Sequence, residues 1–296
     1  MSKHIAGATI SDAWLQLLDS VSAQPDLHER LVFITVADPT ADEDPTVRGA
    51  INRFLTPSEK HPDLQSVETV AATIFFDPLY SNPGHIWDPV DSGEQPPFTD
   101  SNEQVQNAAN GLYERYRYIY PALRRADQQN ERGTYFGRMI GWPGHAADDL
   151  NHLGPHNQLQ QRIDQIRAQH HLSRLTFNAA NLAIADDPGD FTVRIHRADD
   201  NRVRSFPCMT HIDIGVHDGL INLVAVYRLQ QVITKAYGNF VGLARLQAFI
   251  AQQTGFGIGE LGVHATMATL GGEPYGKAGL RLLLNDAHQR LLVPIE

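Results

Sequence analysis

Apolar residues recur at helical spacing in SDAWLQLLDSVSAQ (11–24), behind a Ser/Asp cap, and predict a helix. RLVFITVADPT (30–40) is β-branched and ends in Asp-Pro, the pattern of a strand and its stop. DPTVRGAINRFL (44–55) predicts a second helix with Pro45 in its first turn. SVETVAATIFF (66–76) is a compact apolar run that fits a strand or a helix. Residues 77–101 hold five prolines among turn formers and read as a loop or linker. A helix follows over 102–126, with Tyr113, Tyr116 and Tyr120 on one face. GTYFGRMIGWPG (133–144) is punctuated by glycine and reads as a strand pair or loop. NQLQQRIDQIRAQ (157–169) predicts an amphipathic helix, and SRLTFNAANLAI (173–184) a strand.

MTHIDIGV and LINLVAVYR flank HDG as the arms of a hairpin. AYGNFVGLARLQAFIAQQTG then predicts a helix with Phe240, Leu243, Leu246 and Ile250 on one face and Gly255 as its stop. Helices mixed with hairpin-linked strands suggest an α+β fold more than βαβ winding.

Composition narrows the class. The 296 residues are 42% hydrophobic, enough to bury a large core. No apolar run reaches the roughly 20 residues that span a bilayer, and MSKHIAGATISDAW has no signal-peptide core, so no membrane partner is expected. A single cysteine forms no internal disulfide, which suits a reducing, cytoplasmic compartment. A net charge of −10 argues against nucleic acid as a partner, while leaving room for a small anion held by a few arginines. The fourteen histidines show no HExxH spacing, and no metal site is expected.

The cysteine, Cys208, follows Pro207 at the head of the hairpin. A lone cysteine is either a small buried filler or a nucleophile, and the hairpin register bears on the choice. A two-residue Asp-Gly turn pairs His217 with Leu220, and Cys208 then falls opposite Leu229. A three-residue His-Asp-Gly loop with Gly219 left-handed pairs Val216 with Leu220 and sets Cys208 opposite Arg228. In the second register the guanidinium favours the thiolate, which is the reactive form.

FPCMTHIDIGVHDGLINLVAVYRLQQVITKAYGNFVGLARLQAFIAQQTGFGIGEL resembles the catalytic core of thymidylate synthase. That family places a Pro-Cys nucleophile before a strand, an arginine twenty residues on and an asparagine eleven beyond it, matched here by Cys208, Arg228 and Asn239. GTYFGRMIGW is similar to the family's Tyr-Gly-(Lys/Arg) segment, and the resemblance covers roughly residues 130–265. It implies one thymidylate synthase-like domain over 1–296, with a divergent portion at 1–100, a mixed or antiparallel sheet, a long core helix and a homodimer formed on the sheet face.

The implied reaction adds the Cys208 thiolate to C6 of a pyrimidine nucleotide, which makes C5 nucleophilic toward a one-carbon unit from 5,10-methylenetetrahydrofolate. An asparagine amide both donates and accepts, so Asn239 suits the N3/O4 edge of the ring. By the resemblance Arg228 binds phosphate, and Arg174 matches one of two arginines that the family's homodimer donates across its interface. Tyr135 or Phe136 takes the place of an active-site tyrosine, and Glu68 matches a glutamate that orders water and relays protons. Each has a plainer reading. Arg228 fits a solvated strand end, Asn239 a helix cap and Arg174 the surface. Glu68 in an apolar run suggests a carboxylate buried at a cost, the mark of a site.

The chain also departs from the family. Met209 replaces a histidine, Leu229 a phosphate-binding serine, Leu175 the second arginine, and Gln231 an aspartate near the pyrimidine and folate. Thr269 and Gly271 fall near the sugar-recognising His-x-Tyr pair, and LLVPIE ends the chain about thirty residues early. These changes leave methyl and hydroxymethyl products both open. They also leave open a catalytically silent nucleotide-binding relative, acting as a sensor or partner protein.

Overall fold

A computed structural model of the chain describes residues 2–59, 61–80, 101–142, 153–171, 176, 193–194, 207–271 and 276–288. The described residues are α+β with a mixed sheet. They divide into two units, one of Met1–Ala72, Tyr227–Ala244 and Glu260–Glu296, the other of Thr73–Val226 and Arg245–Gly259.

The first unit opens with β1 (Lys3–Gly7), α1 (Ile10–Ser22) and β2 (His28–Val36). β1 and β2 run parallel, with Ile5 opposite Ile34, so the chain begins with a βαβ unit that the hairpin-rich reading did not expect. Thr9 caps α1 through Oγ1, which accepts from Asp12 N at 3.2 Å. The helix buries Ile10, Trp14, Leu17, Leu18 and Val21 at the predicted spacing. Gly7 is required where it stands, because a Cβ there would lie 2.4 Å from the Ala13 backbone nitrogen. α2 (Pro45–Phe54) starts as predicted, with Asp44 Oδ1 accepting from Thr46 N and Val47 N.

α3 (Val67–Ile74) resolves the ambiguous apolar run as a helix. Residues of β7 (Gly257–Thr269) pair antiparallel with β2 and parallel with the two-residue β6 (Gln230–Gln231). Between β6 and α7 (Tyr237–Thr254) the chain makes one π-helical turn, Val232–Ala236. Trp14 Nε1 donates to Val232 O of that turn at 2.8 Å, and Ile233 N donates to Leu270 O at 2.9 Å. Gly238 lets α7 start tight against α3, since a Cβ there would sit 2.6 Å from Val70 Cβ and 2.9 Å from Val67 O. Gly238→Ala therefore lowers stability by about 1–3 kcal/mol, read from the urea midpoint, because α3 must shift to admit one methyl group. An unchanged midpoint would mean that α3 yields without cost.

The second unit is built on aromatic rings. α4 (Ser101–Ala126) turns Tyr113, Tyr116 and Tyr120 inward as its spacing predicts. Phe136 stacks edge-on against Tyr116 at 4.8 Å and Phe75 at 5.6 Å, and Phe249 lies 5.1 Å from both Phe75 and Tyr80. Phe136 belongs to α5 (Tyr135–Ile140), so the middle of the segment expected as a strand pair or loop is helical. Thr134 is the reason: its Oγ1 caps the helix by accepting from Gly137 N at 3.1 Å. Gly137 packs where a Cβ would meet the Tyr120 ring at 2.9 Å, a packing role rather than a turn. α6 (Gln158–His171) follows as predicted, and the strand expected at 173–184 lies outside the described residues apart from Thr176.

β3 (Val193–Arg194) pairs antiparallel with β4 (Met209–His217), which continues through a tight turn into β5 (Leu220–Tyr227). Asp218 and Gly219 form that turn, both with positive φ, 51° and 78°. Two left-handed residues make a type I′ turn, so His217 faces Leu220. Burial agrees, because Val216 and Ile221, Ile214 and Leu223, and Ile212 and Ala225 are buried pairs in this register. The three-residue loop taken from the sequence is therefore not the one formed, and the Cys208–Arg228 pairing counted from it loses its basis.

Among the described residues no helix is long and apolar enough to cross a membrane.

Candidate functional site

In the second unit the site begins at the N-terminus of α5. Thr134 Oγ1 is also 2.5 Å from Tyr116 OH, so the cap is tied to the aromatic core and the first helical residue, Tyr135, is fixed behind it. Tyr135 is buried, and its hydroxyl oxygen accepts from two successive backbone N–H groups, Cys208 at 3.3 Å and Met209 at 3.4 Å. Burial pushes the phenol pKa well above its ordinary value, and negative charge on Cys208 pushes it further. Tyr135 is therefore a neutral phenol near pH 7. Of the two aromatic candidates, Tyr135 reaches Cys208, while Phe136 is spent on the core.

Cys208 is half-buried at the head of β4, behind a buried Pro207. It is not a sealed filler. Met209, which stands where the resemblance expects a histidine, is fully buried. Arg138, one turn along α5 and 3% exposed, acts on Tyr135 and Tyr120 to favour their ionised forms. Sequence reading passed over it as a site candidate; the available signal was a guanidinium inside an apolar, glycine-spaced run.

The same unit carries Tyr80, whose hydroxyl donates to Gln252 Oε1 at 2.7 Å and accepts from Gln253 Nε2 at 3.1 Å. Burial pushes its pKa up from 10.0 to about 12, against the Gln253 bond and the Arg167 charge. Because the folded value lies above the unfolded one, this contribution to stability is whole below pH 10 and is lost as pH rises toward about 12. The urea midpoint falls across that window in step with tyrosinate absorbance. A flat midpoint there would contradict the buried, neutral phenol.

In the first unit Asn239 lies within α7, 5% exposed, and is not the cap of that helix. Its Nδ2 donates to Gln230 Oε1 at 3.4 Å. Gln231 points the other way from β6, exposed, with its Oε1 accepting from Thr234 Oγ1 at 3.1 Å. Arg228 is half-buried in the bend between β5 and β6.

Glu68 corrects the sequence reading, since its side chain is 55% exposed and not a buried carboxylate. The apolar run is a helix, and position 68 falls on its outer face. Glu68 Oε1 accepts from Arg48 Nη2 at 2.5 Å, and Arg48 Nη1 reaches Glu43 Oε2 at 2.7 Å. Arg48 also lies over the Tyr237 ring, 5.7 Å from its centroid, so Glu68 shares its cation with a carboxylate and an aromatic face.

The structure thus joins Cys208 with Tyr135 in one unit, and Asn239 with Gln230 and Glu68 with Arg48 in the other. Arg174 lies outside the described residues. Among the described residues no group of three or more His, Cys, Asp or Glu is placed to hold a metal ion. No protein-family model matches the chain, and no curated protein matches its sequence.

Proposed function

We propose that this chain is a thymidylate synthase-like one-carbon transferase, acting at C5 of a pyrimidine nucleotide through a covalent adduct at Cys208. One observation carries the reading: a half-buried thiol whose backbone is held by a buried, neutral phenol. A cysteine used only as filler needs no such hold, whereas a nucleophile needs its strand end fixed relative to the ring it attacks.

In the proposed step the Cys208 thiolate forms a bond to ring C6. The C5–C6 π pair moves toward C5 and O4, where a hydrogen-bond donor steadies the developing charge. C5 then takes up an electrophile or a solvent proton, loss of the original C5 hydrogen restores the π bond, and the thiolate leaves. Arg228, with Arg174, is assigned the phosphate by the resemblance, and a planar guanidinium suits that ligand. The homodimer on the sheet face belongs to the same proposal.

Methylenetetrahydrofolate supplies the one-carbon unit in this family. Gln231, at the position of the folate-facing aspartate, is an uncharged amide whose Oε1 is already bonded to Thr234. That donor set does not match a carboxylate, and the co-substrate rests on the resemblance alone.

The test is tritium release from [5-³H]dUMP and [5-³H]CMP, with and without folate. Reversible addition of Cys208 makes the C5 hydrogen exchange with water even without folate. Binding without release from any pyrimidine would favour the silent nucleotide-binding relative. Neither binding nor release would remove both readings.

A further inference from the structure

Tyr120, Arg124 and Arg138 meet one short stretch of backbone in the second unit. Arg124 stands one turn beyond Tyr120 on α4, so the two share a helix face. Its Nε donates to Glu131 O at 3.0 Å, and its Nη2 donates to the same carbonyl. Arg138 Nη2, from α5, donates to Arg132 O at 3.5 Å. A Cβ on Gly133, whose φ is 100°, would lie 2.9 Å from the Tyr120 hydroxyl. Three successive residues, Glu131, Arg132 and Gly133, are thus met by two guanidiniums and a phenol.

All three side chains are buried, with Tyr120 at 1%, Arg138 at 3% and Arg124 at 9% exposure. A buried charge is costly unless a group of opposite sign meets it. Among the described residues no carboxylate pairs with Arg124, in a chain that carries 34 Asp and Glu. Even Glu131 turns its main-chain oxygen, not its carboxylate, to that guanidinium. The Tyr120 hydroxyl is buried and has no hydrogen-bond partner among the described residues. Burial pushes the Tyr120 pKa up, and the Arg124 and Arg138 charges both oppose that rise, so the hydroxyl lies in the field of both cations.

Every one of these side-chain groups is a donor or a cation. A water molecule would satisfy the hydroxyl but leave the charge on Arg124 unmet, whereas an anion answers both. Burial sets the size: groups so little exposed admit an inorganic ion rather than the phosphate of a nucleotide.

We infer that Tyr120, Arg124 and Arg138 form a binding site for a small inorganic anion. The ion accepts from the Tyr120 O–H and from guanidinium N–H groups, and ties α4 to the loop that leads into Thr134 and Tyr135. The site has no part in the adduct chemistry at Cys208, and its test reads binding rather than turnover.

The experiment titrates the whole chain separately with sodium phosphate, sodium sulfate and sodium chloride, by calorimetry and by the urea midpoint. Sodium gluconate, too large for the site, keeps the ionic strength constant. The wild type is expected to bind a single ion per chain, and its midpoint to climb with anion concentration beyond the dissociation constant. Tyr120→Phe and Arg124→Met should each weaken that binding at least about tenfold, the loss of one charge-assisted hydrogen bond. General salt effects act on wild type and variants alike, so the difference between their curves reads the site. Tyr120→Phe also tests the alternative of a stranded hydroxyl. Its removal would then raise the midpoint equally at every anion concentration, which would overturn the inference. No binding of any of the three anions would do so too, as expected if a carboxylate elsewhere in the chain balances Arg124. Binding that survives both substitutions unchanged would place the ion somewhere else and overturn it as well. Should Arg124→Met not fold, Tyr120→Phe, which removes a single oxygen, decides by itself.

Discussion

Cys208→Ser abolishes C5 hydrogen exchange, by at least about a thousandfold, while the protein keeps its fold. The two parts of this expectation have separate causes. Serine carries a hydroxyl that stays protonated near pH 7, so no anion is available to attack C6. Two contacts that order this strand end are made by its backbone, since Tyr135 accepts from the N–H groups of residues 208 and 209. The substitution keeps those bonds and changes one atom at a half-buried position. The urea midpoint should then move by no more than the equivalent of about 0.5–1 kcal/mol. Tritium release measured beside denaturation separates the two. Retained exchange in the serine variant would remove Cys208 as the nucleophile.

Phe136→Ala lowers stability by about 3–5 kcal/mol, a large share of the roughly 5–15 kcal/mol that a folded domain has. Phe136 is fully buried, and its ring meets Tyr116 and Phe75 edge-on, at 83° and 82°. Deletion leaves a cavity bounded by rings that are themselves held by other rings, so the surroundings have little freedom to collapse. The loss also reaches the site, because the preceding residue carries the phenol that holds Cys208. Exchange should therefore weaken in Phe136→Ala even below its unfolding transition. Phe33 is the control. It is 37% exposed on β2, and Phe33→Ala should cost well under half as much. Similar losses at the two positions would contradict the central place given to the aromatic cluster.

Long periodic elements were readable from sequence. α1, α2, α4, α6 and α7 lie where apolar spacing, Asp44 with Pro45, and Gly255 put them, and β2 lies where its β-branched run does. Three misreadings share one cause, local signals decided by a neighbour. Gly133, Gly137 and Gly141 look like strand punctuation, but the Thr134 cap makes the segment between them helical, and the glycines admit close packing. His-Asp-Gly offers two loops, and the φ of Asp218 chooses the shorter. Glu68 looked buried because its neighbours are apolar, yet a helix turns one position in each turn outward, and this one found Arg48. β1 and β7 escaped notice for simpler reasons: β1 has only five residues, and GIGELGVHATMAT is diluted by glycine. Of the candidate site, the cysteine, tyrosine and asparagine were visible as residue types. The amide beneath Asn239 was not, because nothing in QQ at 230–231 says which glutamine faces inward.

The π-helical turn at Val232–Ala236 bears on this last point. A π turn carries one residue more than an α turn, and one residue of α-helix is a rotation of about 100°. The turn therefore acts as a phase shifter, setting the angular position of everything downstream on α7 relative to β6. Trp14 and Leu270 clamp it from outside the helix, at Val232 and Ile233. The side of α7 that carries Asn239 is thus decided by the number of residues between β6 and the helix as much as by their identity. In a lineage of such chains, substitutions within Val232–Ala236 would be tolerated more readily than a single insertion or deletion. The latter would swing the asparagine off its glutamine without touching either one.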